Sequence, residues 1–559
     1  MSSLRRTIGQ IRRPTVNHIV AAIVITGILA VVLKNAWICD DAFITFRTID
    51  NFLHGFGLRW NPDERVQTFT HPLWMMLITA VISITGEFYF TVIAVAVCLT
   101  GATLAVLFFC NSRTVLGTIA VAIALISSQA FIDYATSGLE NPLANLLVVV
   151  FLTRYLSPMR NHRRRTLILT LIAATAAVNR PDHLLLYMPM VAVSCVGLSL
   201  KDTLYCLGIG FLPLVAWELF SLFYYGFPFP NTAYAKLNTG IESGELVAQG
   251  RRYFDYTERR DPITLVAVAT GVVIGLAARG RRHIAAALGI VIYCLYILKI
   301  GGDFMAGRFF AFPLTAAAFL IIDGLNAHDT VWQRLTAVAV ISVLGIYASM
   351  SAYHPIDTTA SYRKRRLVHG IADERGFYFQ VSGFVNVVTD TRAPFERDPY
   401  YLKAIEARLE AEEKLAKNRR HVVRSPNVGI FGFIAGPHVH IIDAYALVDP
   451  LLARLPAYRV DKWRIGHFRR FAPHGYRDSL KKGRNVIRDK NLAVYYKRLT
   501  TITQGDLLSA ERLLTIIEMN LGMYDHLIDW TYYRNIDIAA EQQRENKRRE
   551  KKKRRRKTQ

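Results

Sequence analysis

The sequence predicts a polytopic α-helical membrane protein followed by a soluble α+β domain. Three observations carry this. Hydrophobic residues fill 52% of the 559 positions and the mean hydropathy is +0.22, more apolar than a soluble domain of ordinary composition. The apolarity is also uneven. Between about Val16 and Ser351 it comes in runs of membrane-crossing length, suited to a hydrocarbon core of about 30 Å, and from about Ala352 onward it falls to that of a water-soluble chain. Third, the loops between the runs split into a short basic set and a set rich in acids, aromatics, glycine and proline. The expected domains are 1–352 in the membrane, 353–540 outside it, and a basic disordered tail at 541–559.

Taken in order, the spans lie near 17–37, 88–110, 114–132, 141–157, 165–179, 183–199, 203–225, 263–279, 283–300, 308–324 and 333–351, about eleven crossings. Arg5, Arg6, Arg12 and Arg13 precede the first, which reads as a signal anchor rather than a cleaved leader. Pro72–Thr85 is apolar too, but a full crossing there would swap the sides of every later loop, so it reads as interfacial or re-entrant. Several runs are short and need tilt, a break or help from flanking residues. The N-terminus, Met159–Arg165 and Arg279–His283 are basic and fall on one side, which the bias of short loops marks as cytoplasmic. The opposite side receives Asp40–Thr70, Asp133–Asn141, Asn179–His183, Tyr224–Pro262, Gly301–Arg308 and the whole C-terminal domain. That domain is rich in Lys and Arg, but long translocated domains escape the charge rule.

This partition argues against several function classes. A channel or transporter places ionisable groups near mid-membrane, and few lie inside these runs. No P-loop, zinc spacing, dinucleotide fingerprint or nucleophile elbow occurs. The formal net charge is +25, much of it in Lys547–Lys557. That block reads as a solvated end or as a patch for anionic headgroups. No nucleic-acid-binding module accompanies it, so membrane lipids are expected partners and nucleic acid is not. All six cysteines precede the soluble domain, which therefore has no disulfide framework.

The outer loops supply the chemistry. Directly after the first span stand Asp40 and Asp41. On a helix they point in different directions, so one can serve as general base while the other binds a metal or orients Arg47; the plainer reading is an interfacial acid pair closing the span. The same loop carries Arg59 and Arg65, which with Arg47 are candidates to hold a donor phosphate, and Trp60, His71 and Trp74. Glu140 stands before a helix starting near Pro142; the plain alternative is that Asn141 or Ser137 caps that helix while Glu140 favours its positive end. Arg180 can pair with Asp182 or bind phosphate. Tyr234 and Lys236 follow an aromatic, proline-rich turn, and Lys236 is a further phosphate candidate. Asp303 and Arg308, among glycines, can pair with each other or touch metal and phosphate. No loop is specific alone; five together bring carboxylates, arginines and aromatics to one boundary, where a lipid headgroup would lie.

These segments also carry a resemblance. Asp40-Asp-Ala-Phe-Ile-Thr-Phe-Arg47, Asn61-Pro-Asp-Glu-Arg-Val66, Thr70-His-Pro-Leu-Trp74, Thr136-Ser-Gly-Leu-Glu-Asn-Pro142 and Gly301-Gly-Asp-Phe-Met-Ala-Gly-Arg308 resemble the GT-C type polyprenyl-phosphate-dependent glycosyltransferases. Within these, the chain is most similar to the terminal β-(1→2) arabinofuranosyltransferases of actinobacterial cell-wall arabinan. Gly370–Arg375, Gly436–Asp443, Leu447–Arg454 and Trp463–Arg469 look like that family's extracytoplasmic domain. The resemblance implies a GT-C-like bundle with an outward-facing site, a decaprenyl-phospho-arabinofuranose donor, a cell-envelope glycan acceptor, inversion at the anomeric carbon, and a first-loop aspartate, Asp40 or Asp41, as base. His71 departs from the family, where many members have Asn.

On this reading Asp40 or Asp41 deprotonates the acceptor hydroxyl, and Arg180, Lys236 and Arg308 steady the departing phosphate. No cofactor is specified; a divalent cation is compatible with the acid-rich loops. In the soluble domain, short apolar stretches at Asn427–Phe433 and His438–Ala444 alternate with helical segments such as Tyr401–Lys417, hence α+β. Trp463, His467, Tyr476 and Tyr445 are candidates to stack on acceptor sugars, with packing as the plain alternative. The competing function is a non-enzymatic envelope protein, such as a flagellar-motor-control protein sharing the fold, which should tolerate loss of the first-loop acids.

Overall fold

The structure, a computed structural model, describes residues 16–159, 161–237, 239–278, 280–326, 330–351, 367–390, 395–425, 427–460, 462–538 and 540. The flanking arginines before residue 16, Arg160, Arg279 and the basic tail lie outside them. The chain gathers into two compact units, each built from three separate stretches.

The first unit comprises 1–39, 71–214 and 247–394 and is helical. Its predicted apolar runs are all helices: Val16–Lys34, Tyr89–Ala105 continued by a π-helical turn Val106–Asn111, Val115–Ser127, Asn141–Leu156, His162–Asn179, Leu184–Cys195, Leu200–Gly210, Pro262–Ala277, Arg281–Lys299, Ala311–Gly324 and Val331–Met350. Pro72–Thr85 is a 14-residue helix closed by Gly86 in the left-handed region. Four helices are long and apolar enough to cross a membrane, and up to six if each bent pair is one span, as a polytopic membrane protein requires. One bent pair, Ser243–Arg260 with Pro262–Ala277, turns through 106°. Asp261 ends the first helix and Pro262 opens the second, where its missing N–H costs nothing.

At the centre lies Ala311–Gly324, buried at every residue from Ala311 to Ile322. Small residues let neighbouring backbones approach, the usual device where lipid removes the hydrophobic drive between helices. A Cβ on Gly271 would stand 2.6 Å from that of Ala317, and one on Gly289 would stand 2.2 Å from the Leu186 carbonyl oxygen.

The second unit comprises 40–70, 215–246 and 395–559, so two of the predicted outer loops belong to the same body as the C-terminal region. Its sheet has two parallel strands, His421–Ser425 and Val439–Asp443, in register from His421 opposite Val439 to Ser425 opposite Asp443. The apolar stretch 427–433 is not extended. Gly429 and Gly436 bracket a six-residue helix, Ile430–Ala435, that lies within the connection between the two strands. Parallel strands need such a connection. Helices Asp40–Leu53, Asn231–Leu237, Tyr401–Ala416, Tyr476–Lys482, Lys490–Gln504 and Ala510–Asn520 make up most of the rest. All six cysteines are free thiols.

Candidate active site

In the second unit the acid pair opens a helix. Asp40 and Asp41 occupy the first turn of Asp40–Leu53, where the helix dipole favours negative charge. Asp40 Oδ1 accepts the Ile430 backbone N–H at 2.8 Å. Gly429 closes over it: a Cβ there would meet the Asp40 carboxyl carbon at 2.5 Å, so no other residue fits. Burial raises the Asp40 carboxyl to about 7; the Ile430 N–H opposes this, while the Asp41 and Asp398 charges add to it. A carboxyl titrating near neutrality can take up and release a proton under working conditions.

Arg47 is fully engaged nearby. Its Nε donates to the Trp60 carbonyl at 2.8 Å, Nη1 to Gly432 at 2.7 Å and Nη2 to Val439 at 2.8 Å, and the guanidinium lies 4.1 Å over the Trp60 ring. With every nitrogen on a carbonyl, Arg47 ties the first loop to the strand segment and has little left for phosphate. Arg65 is buried and donates to the Ile502 and Gly505 carbonyls. Lys236 is exposed at the end of Asn231–Leu237. It belongs with two acceptor candidates: burial, then the Arg464 charge, then Lys236 push His467 down to about 3, and His467 meets Tyr445 edge-on at 5.0 Å. Trp463 instead donates to Glu245 at 2.9 Å, and Tyr234 packs 4.6 Å under Arg454.

In the first unit a second set converges on one carboxylate. Glu140 is wholly buried. Arg180 Nη1 lies 2.6 Å from it, Arg308 Nη2 3.2 Å and His71 Nδ1 3.1 Å. Arg180 also holds Asp182 at 2.8 Å, and Tyr293 donates to Asp182 at 3.3 Å. Arg308 stands 3.6 Å from Asp303. Burial alone would raise Glu140, but Arg308 and Arg180 outweigh it and keep it well below the usual carboxylate range. The expected local pairs, Arg180 with Asp182 and Asp303 with Arg308, are both present. Glu140 stands at the N-cap position of Asn141–Leu156, with no side-chain cap hydrogen bond. Nη2 of Arg180 makes no protein hydrogen bond among the described residues, which leaves it a donor for an anion.

Sequence reasoning missed a third cluster, in the second unit. Asp63 Oδ1 lies 3.0 Å from His440 Nδ1, and Arg420 reaches the other oxygen at 3.1 Å. Burial opposes both charges, yet mutual attraction lowers Asp63 to about 2 and raises His440 to about 8. Glu64 accepts from Asn61 at 3.0 Å, and burial raises it to about 8. The signal was the adjacent acids of the Asn61–Val66 motif, from which only Arg65 was singled out. In the first unit, Arg375 pairs with Asp133 at 2.7 Å, both buried. Among the described residues no group of three His, Cys, Asp or Glu side chains is placed to hold a metal ion.

Fold and site together describe a mainly helical chain with helices long and apolar enough to cross a membrane, an acid pair in the first turn of one helix, and arginines gathered on buried carboxylates. No family model matches it. Two characterised proteins are similar to it along most of its length. The terminal β-(1→2)-arabinofuranosyltransferase of Mycobacterium tuberculosis is 25% identical, over 79% of this chain and 82% of its own. That of Corynebacterium glutamicum is 27% identical, over 77% of this chain and 72% of its own. The resemblance read from the motifs is the one these relatives show. A solved structure, ArnT from Cupriavidus metallidurans bound to undecaprenyl phosphate, matches over 83% of this chain and 88% of its own, at 12% identity and a TM-score of 0.37.

Proposed function

We propose that the protein is a membrane glycosyltransferase that moves a sugar from a polyprenyl-phosphate carrier to a cell-envelope glycan. The finer reading is arabinofuranose from decaprenyl-phospho-arabinofuranose, placed in a terminal β-1,2 linkage on arabinogalactan or lipoarabinomannan. Similarity to two arabinofuranosyltransferases over more than three quarters of the chain supports it. The observation that carries it is Asp40, fixed by Ile430 and Gly429 with its carboxyl near neutrality.

The acceptor hydroxyl gives its proton to Asp40 or Asp41 as its oxygen attacks the anomeric carbon. The bond from that carbon to the phosphate oxygen breaks, and the polyprenyl phosphate leaves with the electron pair. Arg180, Lys236 and Arg308 are the cations proposed to steady it, and Tyr445 and His467 to meet acceptor sugar. The soluble domain, 353–540, is assigned to the extracytoplasmic side of about eleven spans, with the tail at 541–559 beyond it. That loops 40–70 and 215–246 pack into one unit with 395–559 supports placing them on one side.

The test is product formation by purified Asp40→Asn, Asp41→Asn and the double variant in a defined lipid-donor assay. At least one single variant should lose transfer while still inserting. Near-normal turnover in all three would remove the proposed base and favour the scaffold reading.

A further inference from the structure

In the second unit the helix Ala510–Asn520 is apolar on the side it turns outward. Arg512, Thr515, Ile516 and Met519 are buried and make up its packed side. At 3.6 residues per turn, Leu513, Leu514 and Ile517 fall on the opposite side, and Leu521 continues their line just past the last turn. All four are exposed, Leu514 and Ile517 by 57% each and Leu521 by 73%. Glu511 and Glu518 stand together on one flank. A surface helix ordinarily turns charge to water opposite its packed side. This one turns leucine and isoleucine, and a continuous exposed apolar strip marks a contact surface.

The anchoring of the helix says what the contact is with. Arg512 Nη2 donates to the Tyr224 carbonyl at 2.9 Å, and Asn520 Nδ2 donates to the Gly226 carbonyl at 2.8 Å. Gly226 comes so close that a Cβ on it would stand 3.2 Å from Ile516 Cγ1. Tyr224 is the last residue of the helix Leu212–Tyr224. Together with Leu200–Gly210, that helix is long and apolar enough for one bent membrane span. It also carries an exposed apolar stripe one residue in four, Val215, Leu219 and Phe223, suited to lipid. Directly after it comes the aromatic run Tyr224-Tyr-Gly-Phe-Pro-Phe229, the composition that collects at headgroup level. Both ends of Ala510–Asn520 are therefore tied to the segment where this span meets the membrane surface, and its apolar strip continues a lipid-facing surface.

We propose that Ala510–Asn520 is an interfacial helix, lying in the plane of the membrane surface with Leu513, Leu514, Ile517 and Leu521 buried about 5–10 Å into the boundary between headgroups and acyl chains. It gives the second unit a hold on the bilayer nearly 300 residues in sequence from the end of its span. The inference rests on membrane insertion of the chain, not on glycosyl transfer, and involves no catalytic residue.

The experiment uses the full-length protein in nanodiscs of phosphatidylcholine and phosphatidylglycerol. In hydroxyl-radical footprinting of the wild type, Leu514, Ile517 and Leu521 should lose most of their oxidation relative to Leu409, a leucine 60% exposed among charged residues on Tyr401–Ala416. Nitroxides on Leu514→Cys and Ile517→Cys, in a cysteine-free background, then identify the cover. Each should be reached by oxygen and closed to a water-soluble nickel chelate, whereas a nitroxide on Leu409→Cys should be reached by the chelate. Oxidation of the strip equal to that of Leu409, or nitroxides open to the chelate, would leave the strip in water and overturn the inference. Nitroxides closed to both reagents would assign the strip to a second copy of the chain or another protein and overturn it equally.

Discussion

Replacing Asp40 by Asn should slow glycosyl transfer and, above neutral pH, make the protein more stable. The Asp40 carboxyl ordinarily titrates at 3.8 and is raised to about 7, chiefly by burial. A folded-state pKa above the unfolded one means that the proton is held more tightly in the folded protein. Its favourable contribution is complete below pH 3.8 and is lost as pH rises through about 7. Three decades of titration correspond to at most about 4 kcal/mol. Asn retains an oxygen for the Ile430 N–H and carries no charge to desolvate, so it should recover that amount at pH 8 and little at pH 4. Turnover should fall about a hundredfold to ten-thousandfold, the usual worth of a general base. Thermal unfolding at pH 5 and pH 8, beside a lipid-donor assay, measures both. A variant that melts no higher than wild type at pH 8, or keeps turnover within about threefold, would refute this reasoning.

Three further outcomes follow from the same geometry. Glu140→Gln leaves Arg180 and Arg308 buried with their shared carboxylate gone; the folded protein should lose about 3–5 kcal/mol, and a loss below about 1 kcal/mol by chemical denaturation would contradict the network. His440 titrates at about 8 beside Asp63, so the pair's contribution is full between about pH 4 and 6.5 and declines as pH rises through 8; moving a histidine from 6.5 to about 8 is worth about 2 kcal/mol, and His440→Gln should be destabilised by that much at pH 6 but far less at pH 9. Single cysteines at positions 162, 240 and 460 should be labelled from the cytoplasm at the first and from outside at the other two; labelling of 162 and 460 from one side would sink the topology.

The helices of the first unit were legible because most are apolar runs, a local property. So were two ion pairs whose members are close in sequence, Arg180 with Asp182 and Asp303 with Arg308. What joins them was not. Glu140 meets Arg180 across 40 residues and Arg308 across 168, and no periodicity encodes such a meeting. Arg47 illustrates the limit in the other direction: its charge suggested a phosphate ligand, but carbonyls up to 392 positions away engage each of its three nitrogens. The role of Gly429 depends on the backbone standing against Asp40, which a lone glycine in a sequence does not reveal. The 430–435 segment was apolar enough to pass for a strand, and its helix is set by the parallel pair it connects.

The central claim, glycosyl transfer from a polyprenyl-phosphate sugar, is tested most directly by supplying the purified wild-type protein with radiolabelled decaprenyl-phospho-arabinofuranose and an arabinan oligosaccharide, then determining the linkage of the product. The account predicts label on the oligosaccharide in a terminal β-1,2 linkage, with polyprenyl phosphate released in equal amount. Label that stays on the lipid with this and every other polyprenyl-phosphate sugar offered would contradict it.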